Sequence, residues 1–268
     1  MMRRFLGLVL GLVLFCAVLP AFAEIPAADV WPLPKPPEGA NPAEFAAPRM
    51  DWVDRVQGTL NRTEGKQYDL IFDGDSITDG WQTKGKTVWE ARYAPLNAVD
   101  FGISGDKVEH VLWRLKEGQG AKADPKLVVL MIGTNNTGRD SADQIAAGIK
   151  NLVAAYLVQC PHARLLLLAV FPRSALPTDA VRAKIKEINK QIAALDDGGK
   201  RVTFLDIGDK FLQPDGTLTA DIMPDMLHPN EKGYQIWADA IAPEIEKTFP
   251  NAPKGSAAPA TPPALKGP

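Results

Sequence analysis

Apolar residues along the chain alternate between two textures. Short, dominantly apolar runs stand at 70–72, 98–103, 127–132, 165–170 and 202–207. Runs of this length without polar alternation predict strands buried on both faces. Between them the apolar positions space out to steps of three and four. Ser141 with Gln144 three residues on forms a capping box, and Ile145, Ile149, Leu152, Val153 and Tyr156 follow at helical spacing. Val181, Ile185, Ile188, Ile192 and Leu195 make one stripe of a second helix, and Tyr234, Trp237, Ile241 and Ile245 mark a last one beginning near Asn230. Strands alternating with helices predict an α/β fold, a three-layer α/β/α sandwich around a five-stranded parallel sheet. In such sheets ligands bind at the carboxyl ends of the strands. The polar residues that end each run are therefore where chemistry is to be sought.

The two ends of the chain depart from this pattern. Arg3-Arg4 precede an apolar run over 5–19, and Ala21-Phe22-Ala23 supplies small residues before Glu24. Residues 1–23 read as a secretory signal peptide, with export to the periplasm or the extracellular space. The run is short for a membrane span and no second one approaches it, so stable insertion after cleavage is not expected. A proline-rich lead occupies 24–60, with Trp31 expected to anchor it, and the main domain is bounded at 61–250. Residues 251–268, rich in proline and alanine, read as a disordered tail.

Charge and cysteine usage narrow the function. Loss of 1–23 leaves 28 basic against 32 acidic side chains, a net charge of −4, which argues against a nucleic-acid partner. Cys160 is then the sole cysteine, so neither an internal disulfide nor a cysteine-rich zinc site is available.

The first strand runs into Asp73-Gly74-Asp75-Ser76, from which two chemistries can start. Asp73 as nucleophile with Mg²⁺ and Asp75 as acid/base would make a phosphatase of the haloacid-dehalogenase type. Ser76 as nucleophile needs a histidine elsewhere. The mature chain offers His110 in a helical stretch, His162 in a turn, and His228. His228 stands before Pro229, which biases it to extended backbone, and three residues after Asp225, a carboxylate able to hold its Nδ1–H. That makes His228 the candidate base and Asp225 its orienting partner. Asp73 is then expected to end the strand, and Asp75 to shape the turn presenting Ser76.

The later strand ends read Gly102-Ile103-Ser104-Gly105-Asp106, Gly133-Thr134-Asn135-Asn136 and Asp225-Met226-Leu227-His228. Each alone is an ordinary turn or cap. In this order they resemble the four blocks of the SGNH (GDSL-type) hydrolases: Gly-Asp-Ser, a central glycine, Gly-x-Asn and Asp-x-x-His. The stretch from Gly208 through Ile241, together with Gly-Thr-Asn-Asn-Thr, is similar to the platelet-activating-factor acetylhydrolase Ib branch. Asn136, where many members carry aspartate, goes with that branch.

The resemblance implies a metal-independent and cofactor-free serine esterase with the catalytic set Ser76, Asp225 and His228. It further implies an oxyanion hole made by the backbone N–H of Ser76, the N–H of Gly105 and the side-chain amide of Asn135. Short acyl groups are expected, acetyl first, on a small-molecule or carbohydrate ester. Two alternatives stand beside it: the Asp73 phosphatase, and a carbohydrate-binding protein on the same fold that has lost catalysis. The loops holding Trp81, Trp89 and Arg173 either line the substrate cleft or simply pack.

Overall fold

The computed structural model describes residues 36–253; the segment read as a signal peptide, Trp31 and the last fifteen residues fall outside the described residues. Five strands, β1 (Leu70–Gly74), β2 (Ala98–Asp100), β3 (Leu127–Met131), β4 (Arg164–Leu168) and β5 (Val202–Leu205), form one sheet in the order β2-β1-β3-β4-β5. Every neighbouring pair is parallel. Among the described residues seven α-helices accompany them: α1 (Val53–Thr63), α2 (Ser76–Asp79), α3 (Lys86–Arg92), α4 (Val108–Lys116), α5 (Ala142–Gln159), α6 (Ala180–Ile192) and α7 (Glu231–Thr248). From β1 the chain moves outward to β2, then returns across β1 to β3 and onward. The direction reverses between β1 and β3, and a doubly wound sheet opens its crevice at the carboxyl ends of those strands.

The strands are dominantly apolar because both faces are covered. Ile71, Val128, Leu130, Leu165 and Leu167 point to the side packed by α4, α5 and α6. Leu70, Phe72, Val129, Met131, Leu166 and Leu168 point to the side packed by α3 and α7. The split follows the two-residue period of extended chain. On the second face Phe72, Trp81 and Trp237 lie with ring centroids 4.9–6.4 Å apart. Trp81 and Trp89 both belong to this core, so of the two roles open to them packing is the one observed.

Strand bounds differ from the apolar runs in an instructive way. The run at 98–103 pairs as a strand only over Ala98–Asp100, yet its next residues still bond to β1, Phe101 N–H to the Phe72 carbonyl (2.8 Å) and Ile103 N–H to that of Gly74 (3.3 Å). Asp73, expected to end its strand, lies inside β1 and pairs with Leu130.

From residue 36 onward the lead is built into the domain. Its short 3₁₀ turn Pro42–Glu44 sits on α5, where Ala43 is fully buried. The Asn41 amide donates to the Gln144 carbonyl (2.9 Å), and Asn151 donates to Glu44 (2.9 Å). Ala47 N–H reaches the Glu109 carbonyl at the start of α4 (3.1 Å). Val56 and Leu60 of α1 pack with Ile103 and Trp113. Helix α1 also flanks β2, the two forming opposite walls of one cleft.

Gly148 on α5 is what lets the lead approach. A Cβ there would stand 2.6 Å from the Ala43 carbonyl oxygen. Gly→Ala inside a helix ordinarily stabilises by about 0.5–1 kcal/mol. Here Gly148→Ala is expected to lower the melting temperature, read by circular dichroism; a rise would mean that the lead is not seated on α5.

Candidate active site

The carboxyl end of β1 turns directly into α2. Asp75 caps this helix: its side chain accepts from Ile77 N–H (2.9 Å) and its carbonyl from Thr78 and Asp79 N–H. Ser76 is the first residue of the helix, so its N–H has no intrahelical partner by construction. Its Oγ lies 2.8 Å from His228 Nε2. On the other side of the ring, His228 Nδ1 lies 2.6 Å from Asp225 Oδ2. A proton on Nδ1 satisfies the carboxylate and leaves Nε2 to accept from the serine, one self-consistent tautomer.

Asp225 holds the histidine twice. Its other oxygen accepts from the backbone N–H groups of Leu227 (3.1 Å) and His228 (2.7 Å). Burial works to raise the Asp225 carboxyl, and the bonds from the His228 ring and these amides outweigh it, so its pKa lies below the ordinary value. The tight turn requires Met226 at φ +59°, a left-handed conformation that costs an L-residue about 1–2 kcal/mol. Ser174 N–H donates to the Met226 carbonyl at 2.9 Å and holds that turn from the loop after β4. After Pro229, the Asn230 side chain accepts from Gly233 N–H and starts α7.

Gly105 and Asn135 come together through the residue between them in space. Asp106 N–H closes a turn on the Ile103 carbonyl (3.1 Å), with Gly105 at φ +81°. The Asp106 carbonyl accepts from the Asn135 amide at 2.9 Å. An amide nitrogen carries two N–H groups, so Asn135 retains one for a ligand. The loop is tied to the serine helix as well, since Asp79 of α2 accepts from Ser104 Oγ (2.8 Å) and Ser104 N–H (3.3 Å). All five singled-out residues thus sit on one connected rim: Ser76, Asp225 and His228 in a hydrogen-bonded chain, with Gly105 on the loop after β2 and Asn135 on the turn after β3 beside it.

Beneath this rim is a buried ionic network that the sequence did not announce. Arg114 of α4, 1% exposed, binds Asp73 (2.9 Å) and Asp106 (2.9 Å). Gln119 and Tyr156 complete the Asp73 carboxylate. Asp73, 0% exposed and bonded at both oxygens, has no approach open to a substrate. Burial pushes Asp106 up to about 6, against the pull of Arg114. His110 lies in α4 with 13% of its side chain exposed; its Nδ1 accepts from Lys107 N–H (3.0 Å), and burial pushes it down to about 3. His162 is on the surface, paired with Asp124.

Asn136 has a clear reason to be an amide. Its nitrogen donates to Glu109 (3.0 Å) and Asp140 (2.8 Å), while its oxygen accepts from Val108 N–H (3.1 Å). An aspartate here would place a third carboxylate between two others. Arg173 reaches back to Thr134, 3.3 Å from both its carbonyl and its hydroxyl.

A doubly wound sheet with a serine–histidine–aspartate chain at its carboxyl edge defines a hydrolase of the three-layer α/β/α kind. The model of the GDSL-like lipase/acylhydrolase family matches residues 72–236, and the chain belongs to that family. Human platelet-activating factor acetylhydrolase IB subunit alpha1 is 34% identical over 200 residues, covering 72% of this chain and 85% of the relative. The rat alpha2 subunit is 33% identical over 201 residues, covering 73% and 86%. Among solved structures, an acetylxylan esterase from Geobacillus stearothermophilus superimposes with a TM-score of 0.54 at 24% identity, covering 68% of this chain and 95% of its own. A GDSL-like lipase from Bacteroides thetaiotaomicron gives a TM-score of 0.58 at 20% identity, covering 74% and 97%. The protein is a carboxylic ester hydrolase by family membership.

Asp75 offers a test of the site's electrostatics. Complete burial lifts its carboxyl to about 7, above the ordinary 3.8, and its Oδ2 has no hydrogen-bond partner. The folded state therefore holds a proton that the unfolded chain releases. That contribution is full below the ordinary carboxyl value and is lost as pH rises through about 7. Asp75→Asn keeps an oxygen for the Ile77 cap but cannot ionise. Its stability relative to wild type is expected to improve by on the order of 1 kcal/mol or more between about pH 5 and about pH 8. Thermal melts at the two pH values check this; a difference independent of pH would show that Asp75 does not titrate in this range.

Proposed function

We propose that the protein is an exported serine esterase acting on short acyl esters, acetyl first, through Ser76, His228 and Asp225. The observation that carries the reading is the pair of hydrogen bonds, Ser76 Oγ to His228 Nε2 at 2.8 Å and His228 Nδ1 to Asp225 at 2.6 Å. In it, the Ser76 hydroxyl gives its proton to His228 as Oγ attacks the ester carbonyl. Asp225 keeps the imidazole in the required tautomer and stabilises the imidazolium. The negative charge that develops on the carbonyl oxygen meets the N–H of Ser76, the N–H of Gly105 and the free N–H of Asn135. His228 then passes its proton to the departing alcohol. Water, deprotonated by the same histidine, cleaves the acyl-serine and restores the hydroxyl.

The chemistry uses no metal and no cofactor. Acetyl preference draws on the relatives, since an acetylhydrolase and an acetylxylan esterase both carry that group in their names. With residues 1–23 as an export signal, an O-acetylated carbohydrate is the substrate class that suits the location.

The test is hydrolysis of p-nitrophenyl acetate in EDTA by wild type and by Ser76→Ala. Wild type is expected to turn over and Ser76→Ala to lose about 10⁴-fold or more in kcat. Asp73→Asn is an unsuitable control, because it breaks the buried pair with Arg114. An inert wild type that hydrolyses p-nitrophenyl phosphate only with Mg²⁺ would transfer the assignment to a phosphatase. Inertness on both, with no labelling by an organophosphate, would make the protein a binding module.

A further inference from the structure

The oxyanion loop has a structural ambiguity that the strand-end residues alone do not resolve. The turn Ile103 to Asp106 is closed by the Asp106 N–H on the Ile103 carbonyl, and Gly105 occupies its third position at φ +81°. A positive φ there is the mark of a type II turn. Types I and II share the same closing bond and differ by a half-rotation of the central peptide, here Ser104–Gly105. Glycine accepts both forms at little cost. The rotation matters because the peptide is planar and trans, so the Ser104 C=O and the Gly105 N–H point in opposite directions. Turned over, the unit would present a carbonyl oxygen where the N–H now points, and an oxyanion would be repelled there.

Two arginines from the lead hold this peptide in place. Arg49 donates Nη1–H to the Ser104 carbonyl itself, and that guanidinium lies against the Gly105 α-carbon, where a Cβ would collide with it. Arg55 binds Asp79 through both nitrogens, and Asp79 in turn accepts from Ser104 N–H and Oγ. Trp52 lies between the two, its ring 5.3 Å from the Arg49 guanidinium and 5.2 Å from that of Arg55. Asp51 takes the remaining fork of Arg49, with Nε at 3.1 Å and Nη2 at 2.9 Å. Arg49 is therefore a guanidinium oriented on three sides, with one N–H directed at one carbonyl.

We infer that Arg49 is a positioning residue of the oxyanion hole: it locks the Ser104–Gly105 peptide in the orientation that points the Gly105 N–H away from the lead and leaves it free for substrate. This rests on the serine-esterase reading for its functional meaning. Arg49 stands outside the matched family region, 72–236, so the family blocks carry no trace of it.

The lock is tested in the full chain with Arg49→Ala and Arg49→Lys, assayed on p-nitrophenyl acetate beside wild type and Ser76→Ala. Loss of one oxyanion donor typically lowers turnover by about 10²–10³, so Arg49→Ala is expected to reduce kcat by about 10²-fold while KM changes by less than about threefold. The pH profile should keep its midpoint, since His228 and Asp225 are untouched, and Arg49→Lys should recover most of kcat by donating to the same carbonyl. A crystal structure of Arg49→Ala should show the 104–105 peptide turned over or split between two orientations. A kcat for Arg49→Ala within about twofold of wild type overturns the inference. So does a large fall in kcat with the peptide unturned in the crystal. If wild type itself is inert on esters, the esterase reading falls, and the peptide orientation in the variant crystal alone decides whether Arg49 is the lock.

Discussion

One guanidinium, that of Arg114, is shut away from solvent between two carboxylates on different strand ends. Taking such a group out of water costs several kcal/mol, and it is tolerated only where its N–H groups are satisfied. Asp73 holds it from inside β1, Asp106 from the loop after β2, and Gln119 from the turn after α4. Removing one partner of a pair buried this way costs about 3–5 kcal/mol. What that energy secures is the place of Asp106. Its carboxylate is fixed by Arg114, its N–H closes the turn around Gly105, and its carbonyl orients Asn135. The donors on the loop side of the site stand on this one residue.

The rim divides into a rigid floor and an open side. Asp73, Asp106 and Arg114 are buried to within 2% of completely, whereas the side chains of His228 and Asp225 remain 40% and 56% exposed. Groups that must already be aimed before charge develops belong on the floor, because reorienting them during reaction would forfeit their advantage. In the proposed mechanism the group that passes protons to water and the leaving alcohol, His228, lies on the open side. The histidine is nevertheless well determined, since Asp225 grips both its ring and its backbone and Ser174 fixes the turn between them.

The parallel sheet was readable because both faces are buried, so each strand advertised itself as an apolar run; β3 lies within 127–132 and β5 within 202–207. The Asp225–His228 pair was readable because three residues separate them, and a single capped turn delivers Ser76; that Ser76 meets a histidine 152 residues on came from the resemblance of the four blocks. The buried network was not readable. Asp73 and Arg114 are 41 residues apart, and an arginine in an amphipathic helix looks like a solvent-facing residue until the fold turns it inward. The proline-rich composition of 24–60 likewise did not announce how its described part packs. Three of its apolar side chains, Ala43, Val56 and Leu60, are nevertheless buried, and composition counts such residues without locating them.

The placement of α1 beside β2 has a bearing on solubility. β2 is an outer strand of the sheet, and an outer strand offers unpaired N–H and C=O groups to any passing extended chain. It is three residues long, which limits the template, and α1 walls the cleft along it with Arg55 and Arg62, charges that discourage a neighbouring strand from docking. A fragment trimmed to the family blocks would lose that wall and bare Ile103 and Trp113 at the same edge. Aggregation of such a fragment would then report an uncovered sheet edge, although every residue of its serine–histidine–aspartate chain would still be present.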